Sequence, residues 1–135
     1  MTPKQPDRSE DMKALLPRLG KEEYCYVTTK GRVTGKPHKI EIWFGLNNET
    51  LYLLSGGMDK SDWVKNLKKN PSVTVRIGNR TFQAAARIVR DGEEETMARH
   101  LLAGKYQGWK KGKKLSDWGR NALPVALDLI EESKA

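Results

Sequence analysis

Hydrophobic and polar positions alternate along several short runs of this chain and switch to helical spacing in three others. The run "HKIEIWFGL" alternates strictly, with Ile40, Ile42 and Phe44 on a core face and His38, Glu41 and Trp43 interrupting or opposing it. "EYCYVTT" is rich in aromatic and β-branched residues and predicts a strand. "NNET" predicts a turn into a returning strand, "LYLLS". "SVTVRIG" alternates again, "GNR" supplies a hairpin turn, and "TFQAAARIVRD" predicts a longer strand. "ALPVALDLI" predicts the last one. Of the helical segments, "DRSEDMKALLPRLG" has Asp7 and Glu10 at capping-box spacing, Gly20 just past its end, and Pro17 to end or kink it. "SDWVKNLKKN" sets Trp63, Val64 and Leu67 at helical spacing, with Ser61 as N-cap and Pro71 as the stop. "GEEETMARHLLAGKYQ" carries acids in its first turn and bases in its last, matching the helix dipole. "GWKKGKKLSDWGRN" reads as an irregular basic segment.

The resulting order, α-β-β-β-α-β-β-α-β, predicts an α+β fold on an antiparallel six-stranded sheet. Short turns allow such a sheet to close into a barrel, which removes exposed edges. The absence of βαβ alternation argues against a Rossmann or P-loop architecture. At 135 residues the chain is expected to form one domain, over 21–135, preceded by an N-terminal tail and short helix over 1–20. No apolar run is long enough to span a bilayer and the N-terminus has no apolar signal core, so a soluble cytoplasmic protein is expected. The lone Cys25 cannot form an internal disulfide or a cysteine-based zinc site, and its apolar surroundings make it a small core residue.

Charge narrows the class of partner. Lysine and arginine number 25 against 17 acids, a net charge of +8, which favours an anionic ligand or surface. In "TTKGRVTGKP", hydroxyls, cations and two glycines fall within a few residues. Thr28, Thr29, Lys30, Gly31, Arg32, Thr34, Gly35 and Lys36 form either a solvated basic hairpin or a phosphate cradle of main-chain N–H groups and charged side chains. The stretch "LLSGGMDKSDWVKNLKK" poses the same choice. Gly56 and Gly57 permit positive φ or the close approach of a flat ligand, Ser55 ends a strand, and Ser61 opens a helix whose first N–H groups can face an anion. His38 stands at a strand start and is a candidate pocket residue, whereas His100 lies inside a helix beside leucines. Tyr106, Trp109 and Trp118 interleave with lysines, a pattern also found in single-stranded nucleic-acid binders. No Ser-His-Asp signature or metal-ligand cluster is present in the sequence, so an enzyme built on this chain needs an organic cofactor for the hard chemistry.

Taken together, "TTKGRVTGKPHKIEIWF", "LYLLSGGMDKSDWVKNLKKNPSVTVRIG", "ARIV" and "LPVALDL" resemble the deazaflavin-dependent nitroreductase family, in order and without large insertions, from about Tyr24 to Leu129. That family belongs to the flavin and deazaflavin oxidoreductases with the split β-barrel of pyridoxamine 5'-phosphate oxidase. The resemblance implies a six-stranded split barrel over 21–135 and the cofactor F420. It implies hydride transfer to a small-molecule electron acceptor such as a quinone, enone or nitro compound. It nominates Arg32, Thr34, Gly35, Lys36 and His38 for the cofactor's phosphate and tail. For its deazaflavin side it nominates Ser55, Gly56 and Gly57, with Trp63 and Asn66 behind them. It makes Tyr106 or Ser55 a candidate proton donor, and it implies a homodimer with no integral membrane association and no nucleic-acid partner. Val33 stands where many members have a basic residue and His38 where arginine is common, which keeps FMN as an alternative cofactor. A non-enzymatic cofactor- or nucleic-acid-binding module is the remaining alternative.

Overall fold

The computed structural model describes residues 8–133; the Asp7 half of the expected capping box lies outside them. The elements are α1 (Arg8–Leu19), β1 (Cys25–Lys30), β2 (Pro37–Ile42), β3 (Gly45–Asn47), β4 (Thr50–Ser55), α2 (Asp62–Lys69), β5 (Ser72–Ile77), β6 (Arg80–Ile88), α3 (Gly92–Gln107), α4 (Asp117–Asn121) and β7 (Leu123–Glu132). All strand pairs are antiparallel, in the order β2-β1-β5-β6-β7-β4-β3. The α+β sheet of the sequence reading is therefore present, but the described residues form seven strands, not six. The run "HKIEIWFGL" supplies two strands instead of one. These two, β2 and β3, lie at opposite edges of the sheet although only Trp43 and Phe44 separate them. A two-residue link can join the two edges only if the sheet curls on itself, which makes the fold a half-closed barrel split at that link.

Side-chain periodicity explains which faces are covered. Cys25, Val27 and Thr29 alternate into the barrel from β1, as do Val73, Val75 and Ile77 from β5. All of these but Thr29 meet Phe44, Leu51, Leu53, Phe82, Val125, Leu127 and Leu129 in one core. Met12, Leu15, Leu16 and Leu19 of α1 belong to the same core, and α1 continues through Pro17 instead of ending there. The opposite face of β4 and β7 presents Tyr52, Leu54 and Ala126 to Ala98 and Leu102 of α3. That second cover is why "LYLL" is buried at every position instead of alternating. Gly45 permits it, because a Cβ there would stand 2.7 Å from Leu101 Cδ2.

Cys25 is fully buried and free, as its neighbours predict, and burial pushes its thiol up to about 12. The "GNR" hairpin closes as a two-residue turn between Ile77 and Arg80, with Gly78 at φ 59. A further departure is that the basic stretch after α3 contains the short helix α4. Ser116 caps it, its Oγ accepting from Gly119 N at 3.1 Å. No described helix is long and apolar enough to cross a membrane.

Candidate functional site

The loop between β1 and β2 folds as a tight, internally bonded tip. Gly35 takes φ 75, its N–H donates to Gly31 O, and Gly31 N–H donates to Lys36 O. Lys36 N–H donates to Thr34 Oγ1, and Arg32 N–H to Asn66 Oδ1. Of the two readings of this loop, the cradle of main-chain donors is not offered at these four positions, because the turn and Asn66 take those N–H groups. At these positions what remains for an anion is side-chain charge. A cleft of about 460 Å³ runs beside the tip, lined by Arg32, Thr34, Lys36 and His38 with Asp62 and Asn66 of α2. Arg32 is already engaged: its guanidinium donates to Asp62 Oδ1 at 3.1 Å and to Asn66 Oδ1 at 2.9 Å. Asn66, 2 % exposed, donates in turn to Thr29 Oγ1 at 3.2 Å. Arg32 and Asn66 therefore fasten the hairpin to α2, and the ammonium group facing the cleft without an ion pair among the described residues is Lys36.

The start of α2 joins this cleft to the glycine turn. Ser61 precedes α2 but makes no side-chain cap; its Oγ lies 3.1 Å from Ser55 Oγ. Ser55, 2 % exposed, also donates to Met58 O at 2.9 Å. Neither Gly56 nor Gly57 has positive φ; the residue that does is Met58, at φ 57. Gly57 is small for another reason: a Cβ on it would fall 2.3 Å from Ser61 Oγ. At Gly56 a Cβ would meet only Trp118 Cδ1, at 4.0 Å. Gly56 is exposed, so its bare backbone faces open space next to an indole edge. Trp63 is half-buried and packs against the main core, in support of α2 rather than in the cleft.

Beyond Trp118 lies an aromatic wall. Trp118 meets Trp43 edge-on, centroids 5.6 Å apart at 84°, and Trp43 stacks on Tyr106 at 4.4 Å and 4°. The Tyr106 hydroxyl accepts from Phe44 N–H at 2.9 Å and lies 2.9 Å from Phe44 O and 2.7 Å from Glu23 O. Burial pushes its phenol up to about 12. Lys105, the preceding residue, donates from Nζ to the same Phe44 carbonyl at 2.9 Å, and burial brings its ammonium down to about 8. The structure thus gathers Arg32, Thr34, Lys36, His38 and Asn66 at one cleft, with Gly35 in the adjoining tip, and Ser55, Gly56 and Gly57 around the neighbouring turn. Tyr106 is separate: it reaches Gly56 only through Trp43 and Trp118.

Trp43 and Lys105 escaped the sequence reading. Trp43 carried a signal, a large apolar residue on the outward face of an alternating strand. Lys105 looked like a base complementing a helix dipole, and only the tertiary contact with Phe44 distinguishes it. Trp109 stacks on His100 at 3.9 Å and donates from Nε1 to Lys113 O at 2.8 Å, so it closes the basic loop. A larger concavity, about 690 Å³, lies elsewhere, between the end of α1 and the β3–β4 turn, and includes none of the nominated residues.

A family model described as F420H2-dependent quinone reductase matches residues 8–128. Comparison with curated proteins gives no match. Among solved structures, a conserved hypothetical protein of Mycobacterium tuberculosis superposes with a TM-score of 0.77 at 17% identity, covering 97% of this chain and 88% of that one. An F420-H2 dependent reductase superposes with a TM-score of 0.60 at 18% identity, covering 78% of this chain and 93% of that one. A Listeria innocua protein provisionally described as pyridoxamine 5'-phosphate oxidase gives 0.68 at 17%, with 90% and 95% covered. At these identities the three structures establish a shared fold.

Proposed function

The chain belongs to the F420H2-dependent quinone reductase family and is an F420-dependent oxidoreductase; on that premise we propose that it reduces a quinone, enone or nitro compound at the surface between the hairpin cleft and the glycine turn. The family match over residues 8–128 carries this proposal. The residues present fit an anionic, planar cofactor in two respects. Lys36 offers an ammonium not paired to any described carboxylate, with Thr34 and His38 beside it in the cleft. Gly56 leaves its backbone bare where a Cβ would find no neighbour closer than 4.0 Å, room for a flat ring edge.

In this assignment Lys36, His38 and Thr34 hold the phosphate and tail, with Gly35 shaping the tip. Arg32 and Asn66 fix that tip on α2 and leave Arg32's outward face to add charge. Ser55, Gly56 and Gly57 line the ring side, and Trp63 anchors the helix behind them. F420H2, when bound, supplies the hydride. The chain's own contribution is orientation: holding two reactants in register can lower a barrier by about 7–11 kcal/mol. The balancing proton comes from solvent. Supporting that source, the Tyr106 hydroxyl is engaged by backbone groups and held near 12, and Ser55 Oγ is buried and donates to Met58 O. The family resemblance further suggests a homodimer working in the cytoplasm.

The test is a fluorescence and calorimetric titration of the purified protein with oxidised F420, with FMN as competitor. Saturable F420 binding that FMN fails to displace, together with turnover of a quinone by F420H2, is the expected result. Binding of FMN alone would transfer the site to a flavin. Sedimentation equilibrium would decide the dimer.

A further inference from the structure

The barrel splits at Phe44, and two consecutive residues of α3 hold it there. Phe44 N–H donates to the Tyr106 hydroxyl, and Phe44 O receives the Lys105 ammonium at 2.9 Å. The same ammonium lies 3.7 Å from the Phe44 ring centroid and 4.9 Å from that of Tyr106. From there the contacts run without a gap: Tyr106 on Trp43, Trp43 against Trp118, and Trp118 beside Gly56.

We propose that Lys105 is a positioning residue: its ammonium, bonded to the Phe44 carbonyl and set over two rings, holds the Trp43–Tyr106–Trp118 wall against Gly56 so that an aromatic acceptor is presented to the cofactor ring. The position of the ring rests on the cofactor assignment above; the link from Lys105 to the wall does not. A half-buried ammonium is costly to desolvate, and a carbonyl dipole with two aromatic faces offsets that cost only while the charge is present. No described carboxylate lies within ion-pair distance of it. The titratable groups that act on it are the Cys25 thiol from β1 and Glu22 from the α1–β1 connection. Tyr106 lies beside it on α3, with Glu23 and Tyr24 near that hydroxyl. Cys25 and Tyr106 are held near 12, so both stay neutral while Lys105 titrates near 8. Loss of that proton removes the cation from both rings and weakens the bond to Phe44 O, and the wall loosens.

The test uses the full chain, first without cofactor. Tryptophan fluorescence of the wild type is expected to change with a midpoint near pH 8. The change should vanish in Lys105→Arg, whose charge does not titrate, and in Trp43→Phe. It should persist in Trp109→Phe, which removes the unrelated His100 stack. With F420H2 supplied, the acceptor KM of the wild type should rise about fivefold on crossing that pH, as expected for a lost cation–π contact and a weakened hydrogen bond. In Lys105→Arg the KM should stay flat, and F420 affinity should be unchanged in both proteins. A fluorescence signal constant from pH 7 to 9 in the wild type, or a transition that survives in Lys105→Arg, overturns the proposal. Failure of the wild type to bind F420 would remove the assignment at Gly56 while leaving the fluorescence outcome to judge Lys105.

Discussion

Two charged regions of this molecule are built on opposite principles. Where β4, β6, β7 and α3 meet, charges close on one another. Arg87 donates to Glu94 at 2.6 and 2.7 Å and to Asp128 at 2.7 and 3.2 Å. Tyr52 OH donates to Glu94 at 2.7 Å, and Thr50 Oγ1 to Asp128 at 2.9 Å. At the β1–β2 tip, Arg32 is tied to Asp62 and Asn66, but Lys36 faces the cleft with no described carboxylate to pair with. A closed network lowers the folded state's free energy and has little left for a ligand. An ammonium kept unpaired beside a cleft adds little to folding and is available to an anion. The contrast separates scaffold from candidate site without reference to any ligand.

The largest effect should come from opening the closed network. Arg87→Met leaves Glu94, with its side chain 19% exposed, and Asp128 facing each other without a cation. Stranding two partly desolvated carboxylates should cost about 2–3 kcal/mol. Urea unfolding should show a lower midpoint at an unchanged slope, while F420 affinity of the folded protein stays the same. A loss of affinity equal to that of a cleft variant would erase the distinction between the regions.

The complementary change is Lys36→Ala. A lost charge-assisted hydrogen bond is worth about 1.5–3 kcal/mol, or tenfold and more in affinity. Calorimetry should show F420 binding weakened by at least that factor, with a shallower salt dependence than wild type and an unfolding midpoint that does not move. Arg32→Ala should do both: it loosens the tip from α2 and lowers affinity, so its unfolding midpoint and its F420 affinity fall together.

How far the sequence disclosed this division depends on which interactions are local. Alternation in "SVTVRIG" predicted β5, since a strand's faces are written every second residue, and the aromatic and β-branched content of "EYCYVTT" predicted β1. The dipole pattern of α3 predicted its bounds at Gly92–Gln107. The break of "HKIEIWFGL" into β2 and β3 was not legible, because Ile40, Ile42, Phe44 and Leu46 keep the two-residue period across it. What interrupts the ladder there is the closure of the sheet and the capture of Phe44 by Tyr106 and Lys105, 62 and 61 residues away in sequence. At the site, the clustering of Arg32, Thr34, Gly35, Lys36 and His38 was legible as one loop. That Arg32 is bound to α2, and that the tip consumes its own N–H groups, was not, because both depend on where α2 lands.

Acid should weaken the closed region selectively. The Arg87 guanidinium and the Tyr52 hydroxyl bring the Glu94 carboxyl down to about 2, and Arg87 lowers Asp128 as well. A carboxyl depressed in the folded state adds stability that is complete above its unfolded value. That stability drains away as pH falls toward the folded one. Unfolding free energy should therefore decline between about pH 4.5 and 2, and Glu94→Gln should flatten that decline while lowering stability at pH 7. A wild-type curve level over that range would mean Glu94 is not held by Arg87 in solution.

The smallest effect on folding should come from the two glycines of the turn, and it divides them. At Gly56 a methyl would meet only Trp118 Cδ1 at 4.0 Å, and φ is not positive, so Gly56→Ala should change stability by less than about 0.5 kcal/mol. At Gly57 the methyl would collide with Ser61 Oγ, 2.3 Å away, and displace it from Ser55. A hydroxyl can rotate away, so the cost there should be that of one hydrogen bond, about 1 kcal/mol. If the bare backbone of Gly56 is kept for a ring edge, Gly56→Ala should weaken F420 binding severalfold despite its silence in unfolding. Gly57→Ala should show the reverse ranking. Equal behaviour of the two variants in both measurements would mean that the turn is only a chain reversal, and that the cofactor's ring lies elsewhere.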